Sequence, residues 1–183
     1  MSNYLAPATV TAALARRVQA AAQQAVPAAI VEIGRPGASQ EARPRVNLYL
    51  YHVTHDAAWR SADLFTRDAR GQPRQGAALA LNLYYLLSFC GDEGTLDPQR
   101  MLGAVVCELQ ARPVLTREAI AEAIAGNPHL GGSDLADAAD AVRLTPVPLS
   151  LSEMATLWSA FDGAPHALSV VYQASVVLAG DAT

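Results

Sequence analysis

The sequence contains no lysine: all 13 of its basic side chains are arginines, scattered along the chain without a dense cluster. With a formal net charge of −4, the electrostatic footprint of a nucleic-acid binder is missing, and partners are expected to be protein. Arginine's planar fork suits interfaces, yet the abundance of alanine beside it points instead to a GC-rich coding bias. Cysteine is almost absent too. Cys90 and Cys107 form no spaced set, which excludes a disulfide scaffold and leaves two partly buried thiols of a reducing compartment. No run approaches the roughly 20 apolar residues of a membrane span, and the N-terminus lacks a basic region followed by an apolar one, so a chain made and kept in the cytosol is expected.

What remains is a chain of 183 residues, enough for one domain over residues 1–183 that buries roughly 70% of its unfolded surface. Two stretches echo each other, Val46-Asn-Leu-Tyr-Leu-Tyr-His-Val-Thr54 and Leu79-Ala-Leu-Asn-Leu-Tyr-Tyr-Leu-Leu-Ser-Phe89, and are expected to be central strands. Alternation puts Leu48, Leu50, Leu79, Leu81 and Leu83 on one face, with Tyr49, Tyr51 and Tyr84 on the other. Residues 7–25 carry Val10, Leu14 and Val18 four apart behind Pro7, the pattern of an amphipathic helix. A short strand is expected within 28–33, stopped by Gly34 and Pro36.

Further along, Asp97 is expected to cap a helix with Pro98 in its first turn and Leu102, Val105, Val106 and Leu109 on one face. Thr116 caps a short helix bearing Ile120 and Ile124, and Ser133 a turn through Leu135. Residues 142–149 read as a strand, but Pro146 and Pro148 place it at an edge or end it early. Ser150 and Glu153 have capping-box spacing, and Met154, Leu157, Trp158 and Phe161 follow on one helical face. A final strand covers 168–178. Strands and helices are interspersed without βαβ cadence, so the expected class is α+β, a mainly antiparallel mixed sheet with helices packed on it.

The residues hold little catalytic signal. His52 and His55 are three apart in a strand, which turns them to opposite faces, and no further metal ligands are spaced around them. No nucleophile elbow or metalloprotease motif occurs. The loop Gly131-Gly-Ser-Asp134 could cradle an anion but lacks the lysine of a phosphate-binding loop, and a plain loop with a helix cap accounts for it. Asp92, Glu93 and Asp97 fit a turn and a cap. No cofactor or metal is expected. A small cytosolic enzyme or ligand-binding domain using His52, His55 and the 131–134 loop is the alternative reading. The segment 56–78 is too long for a tight hairpin and too apolar to be merely solvated, which marks it for contacts.

Taken in order, Met1-Ser-Asn-Tyr-Leu-Ala-Pro-Ala-Thr-Val10, Val46-Asn-Leu-Tyr-Leu-Tyr-His-Val-Thr54, Ala78-Leu-Ala-Leu-Asn-Leu-Tyr-Tyr-Leu-Leu-Ser-Phe-Cys-Gly-Asp92, Leu96-Asp-Pro-Gln-Arg-Met-Leu-Gly103, Ala111-Arg-Pro-Val-Leu-Thr-Arg117 and Pro146-Val-Pro-Leu-Ser-Leu-Ser-Glu153 resemble the cap, or tail-terminator, proteins of phage-tail-like contractile injection systems. The resemblance extends through Leu157-Trp-Ser159 and the final strand, so it covers nearly the whole chain. It implies a tail-terminator-like fold and a structural role: a hexameric ring on the distal end of tube and sheath that ends their growth, built in the bacterial cytoplasm and carried in a particle that can be released. It implies no reaction, nucleic acid or membrane. Related caps often continue beyond this domain, as expected if this chain is a short or trimmed member. Ring or tube contacts are expected on the 56–78 segment, at Trp59, Arg60, Leu64, Phe65 and Arg67, and on the proline-marked edge at 142–149.

Overall fold

The computed structural model describes residues 2–37, 43–56, 78–138, 141–161 and 163–179. Helix α1 (Ala6–Ala25) leads into β1 (Ile30–Ile33), β2 (Arg45–His55) and β3 (Ala78–Cys90). Then come α2 (Asp97–Ala111), β4 (Val114–Leu115), α3 (Arg117–Ala125), two short turns of tight helix at Pro128–Leu130 and Leu135–Asp137, β5 (Val142–Val147), α4 (Leu151–Ser159) and β6 (Leu168–Ala179). These six strands form one sheet in the order β1-β2-β3-β6-β5-β4. Among them β1 and β2 run parallel, and the other pairs are antiparallel. The α+β class with a mainly antiparallel mixed sheet is therefore what the chain adopts.

One face of the sheet packs on α1, α2 and α3. Val10, Leu14 and Val18 are fully buried there against Val46, Leu48, Leu83, Tyr85, Leu87, Phe89, Tyr172 and Ala174, each large aliphatic side chain contributing about 1.5–3 kcal/mol through lost water contact. The alanines of α1, among them Ala6, Ala13, Ala21 and Ala22, are buried too, and their small size lets the helix lie close to its neighbours. Tyr85 is buried on this face with its hydroxyl 2.8 Å from that of Thr11. Burial pushes its phenol up to about 12, against the opposing Thr11 bond.

The opposite face is covered by α4 alone among the described helices. Trp158 and Phe161 pack on Leu86 and Val171, with Tyr49, Val147, Met154 and Leu157 around them. The capping box is formed: the Ser150 hydroxyl accepts from the Glu153 amide at 3.3 Å, and the Glu153 carboxylate accepts from the Ser150 amide at 2.8 Å. Trp158 meets Phe161 edge-on at 5.4 Å, and its indole N–H is buried without a hydrogen-bond partner.

Three expectations need correction. Helix α2 is capped not by Asp97 but by Leu96, whose backbone is left-handed at φ 57°. The preceding turn, held by Asp92 Oδ1 accepting from Gly94 and Asp92 O accepting from the Asp97 amide at 3.1 Å, draws Asp97 into the helix itself. Cys107 is exposed on the outer side of α2, whereas Cys90 is half-buried as expected. Finally, the alternation of β2 breaks: Leu50 pairs with Tyr85 and His52 with Tyr84, leaving Tyr51 as an extra residue. This bulge puts Tyr51 and His52 on the same face as Tyr84, with the His52 and Tyr84 ring centroids 6.3 and 6.4 Å from that of Tyr51.

Candidate functional site

The surfaces most open to a partner are, first, the edges of the sheet. At the β1 edge, the amides of Ile30 and Gly34 donate to Pro44 and Leu48 of the β2 side, so the Ala29 carbonyl and the Val31 N–H point outward. Gln19 of α1 meets both: its Nε2 donates to Ala29 O at 2.6 Å, and its Oε1 accepts from Val31 N at 2.7 Å. A side-chain amide thus stands where the peptide unit of another strand would pair.

The far edge is closed in the same way. Leu144 N donates to Pro113 O, so the carbonyls of Arg112 and Val114 face away from β5. Both accept from Nη1 of Arg17, at 2.7 and 3.0 Å. A flat six-stranded sheet would separate its outer strands by roughly 24 Å, while a helix with its side chains is about 10–12 Å across. That side chains two residues apart on α1 reach both edges means that the sheet curls around this helix. Burial lowers the Arg17 guanidinium from its ordinary value, with Glu108 opposing and Arg112 reinforcing the shift.

The third guarded stretch is the outer side of β6 beyond the reach of β5, which pairs only with Val171 to Ala174. Here Ser2 makes a parallel bridge to Leu178, its amide donating to Val177 O at 2.9 Å. Asp134 clamps this arm: its Oδ1 accepts from the Ser2 hydroxyl at 2.6 Å and the Asn3 amide at 2.7 Å. Asn3 Nδ2 donates to Gly132 O at 2.7 Å, and the Thr9 hydroxyl donates to that of Ser133 at 2.8 Å. Partial desolvation opposes ionisation of Asp134, but the Ser2 and Asn3 bonds outweigh it and hold the carboxyl below its usual range. The 131–134 loop, weighed in the sequence as an anion cradle, has its polar groups engaged in holding the N-terminus.

A further stretch of edge, beside β5, is covered by none of these three guards. Between Thr145 and Leu149, an apolar groove of about 500 Å³ is lined by Val106, Pro146, Val147, Pro148, Met154 and Val170, among others. Since Leu144 turns its amide away from β6, the alternate residue Pro146 turns its carbonyl the same way. Proline supplies no N–H there, so this edge can accept hydrogen bonds but cannot donate them. The proline-marked strand ends at Val147, as its prolines imply.

Of the remaining candidate residues, Trp59, Arg60, Leu64, Phe65 and Arg67 lie outside the described residues; the described flank Asp56 donates its amide to Ala80 O at 2.9 Å. His52 pairs with Tyr84 and His55 with Leu81, on opposite faces. Among the described residues no cluster of three or more metal-ligating side chains occurs, and no helix is long and apolar enough to cross a membrane. A second hollow, also of about 500 Å³, lies between α1, α2 and α3 beside Arg16, Arg17 and Arg112. It is charge-balanced, with Arg16 paired to Glu122 at 3.2 Å and Arg112 to Glu108 at 3.1 Å, and so is a poor anion site. Sequence reasoning missed the edge seals. Their only trace is two long polar residues, Arg17 and Gln19, beside the apolar stripe of α1.

Comparison with known proteins adds three findings. A family model described as the Pvc16 N-terminal domain matches residues 9–183. No curated protein matches the sequence. Among solved structures, the sheath/tube terminator of an extracellular contractile injection system, PVC, in its extended state superposes with a TM-score of 0.60 at 16% identity, over 92% of this chain and 56% of that one. The tube-terminating cap of the anti-feeding prophage, AFP, superposes with a TM-score of 0.59 at 14% identity, over 92% of this chain and 54% of that one. The chain thus spans little more than half the length of the proteins whose fold it shares.

Proposed function

We propose that this chain, which belongs to the Pvc16 N-terminal domain family, serves as the terminating cap of a contractile injection system. It would bind the distal end of tube and sheath as a hexameric ring and end their polymerisation. The observation that carries the reading is fold likeness to two terminators across 92% of the chain, at identities of 16% and 14%. Assembly would take place in the bacterial cytoplasm, with the cap leaving the cell as part of the particle. Residues 1–183 act in this reading as one terminator domain.

A terminator has two physical tasks: to match the last ring of subunits on one side and to offer nothing for a further ring on the other. Backbone edges are the commonest accidental docking sites of β proteins. Gln19, Arg17 and the Ser2 arm cover three stretches of edge in this sheet, which supports the second task. For the first, the 56–78 segment with Trp59, Arg60, Leu64, Phe65 and Arg67 is the contact surface we propose, because its aromatic and arginine content is that of interface cores.

The reading assigns no reaction. His52 and His55, which a ligand-binding or enzymatic reading would use, sit on opposite faces of β2, and the 131–134 loop is engaged by the N-terminal arm. The test is electron microscopy of particles assembled with and without the chain. Capped ends and regular lengths are expected with it, bare ends without it, and a chain that never binds tube or sheath ends overturns the proposal. In the same assay the Trp59→Ala, Phe65→Ala double variant should cap poorly while keeping a near-normal thermal midpoint. A large fall in that midpoint would make these side chains core instead.

A further inference from the structure

Tyr4 is 83% exposed, an unusual position for an aromatic residue on a rigid backbone. Its neighbours on both sides are tied down: the Asn3 amide to Asp134 at 2.7 Å, and the Leu5 amide to Asn3 Oδ1 at 3.0 Å. The phenol is therefore displayed on a preorganised turn, with little backbone entropy left to lose on binding. Elsewhere on the molecule lies the groove of about 500 Å³ at Val106, Pro146, Pro148 and Met154, whose strand edge offers carbonyl acceptors and no donors. The two are chemically matched. An aromatic ring suits proline and aliphatic walls, and a phenol O–H supplies the donor that the proline edge needs.

They cannot meet within one molecule. The arm pairs with β6 at Leu178, while the groove is bounded by β6 at Tyr172, six residues and so on the order of 20 Å away along the strand. We propose that Tyr4 of one copy inserts into the Val106–Pro146–Pro148 groove of the next, making the head-to-tail contact of the ring. A knob at one end of a strand and its hole at the other form a heterologous pair, which propagates around a ring if the rotation closes. This inference rests on the ring reading of the proposed function and names the surfaces that would build it.

Sedimentation or light scattering across a concentration series, with and without tube ends as template, tests it. Tyr4→Ala should weaken self-association by about tenfold or more, as loss of an anchor residue does, and Tyr4→Phe should fall between it and the native chain. Blocking the hole with Val106→Arg, or with Ser169→Tyr if the first variant is unstable, should have the same effect. Each single variant retains one good half of the contact. Mixing Tyr4→Ala with Val106→Arg should therefore give one-to-one pairs and nothing larger. If both variants form rings as the native chain does, this contact is refuted while the ring reading stands. If the native chain stays single even on tube ends, the ring reading fails and this contact with it.

Discussion

At the scale of single residues, the turn between β3 and α2 carries two backbone constraints of opposite kinds. A Cβ placed on Gly91 would stand 2.8 Å from Cβ of Asp97 and 3.4 Å from Cα of Pro44, so glycine is required there by crowding. Leu96 is in the reverse situation, since it holds a left-handed conformation at φ 57° that costs an L-residue about 1–2 kcal/mol, and its side chain is 56% exposed. Leu96→Gly should remove that strain. Part of the gain is offset by the freer unfolded chain, leaving about 0.5–1 kcal/mol, or a rise in thermal midpoint of about 1–4 °C for a domain of this size. Thermal unfolding checks this, and a lower midpoint would mean that the buried part of the Leu96 side chain outweighs the strain.

At the scale of elements, the decisive feature is that α1 both fills the core and closes the sheet. Gln19→Ala should leave the Val31 N–H to solvent, and the Ala29 carbonyl with only its 3.3 Å bond from Gln23 Nε2, beside Ile30 and Ile33, which are 41% and 60% exposed. A loss of about 1–2 kcal/mol for the two bonds is expected, together with turbidity on prolonged warming as the opened edge recruits other strands. A variant that stays clear and equally stable would show that the amide seals nothing. Much of the architecture is legible in the sequence, because periodicity and capping are local: Ser150 with Glu153, Thr116, and the alternation of β6 each specify their element within a few residues. The bulge at Tyr51 is not legible, since an extra residue in β2 is defined only by its partner β3. Nor is β4, two residues long between helices, whose Val114 and Leu115 find their partners only in Arg143 and Val142. The edge seals escape for the same reason: they join residues 95 and 97 positions apart for Arg17 and 10 and 12 apart for Gln19, and nothing in a helix sequence announces that a curled sheet brings both edges to it.

At the scale of the whole molecule, the N-terminal arm and the start of α1 tie together parts that are remote in sequence: Ser2 to β6, and Asn3 of the arm and Thr9 of α1 to the loop between α3 and β5. Asp134 is the charged member of that junction, and the direction of its shift fixes how the junction responds to acid. Its folded carboxyl lies below the usual range, so the anchoring it provides is fully present above the unfolded value of about 3.9 and is lost as pH falls through the lower folded value. Because Asp134 is exposed, solvent screening keeps its contribution to global stability below about 1 kcal/mol. The arm should therefore loosen before the core does. Hydrogen exchange should show the Ser2 amide, which donates to Val177 O, losing protection as pH falls below about 4 while the amides of β3 keep theirs. In Asp134→Asn the side chain can still accept from Ser2 and Asn3 but carries no charge, so protection of the Ser2 amide should be lower at neutral pH and should not show the added acid loss. Parallel loss of Ser2 and β3 protection in both proteins would mean that the arm has no separate stability and unfolds only with the sheet it closes.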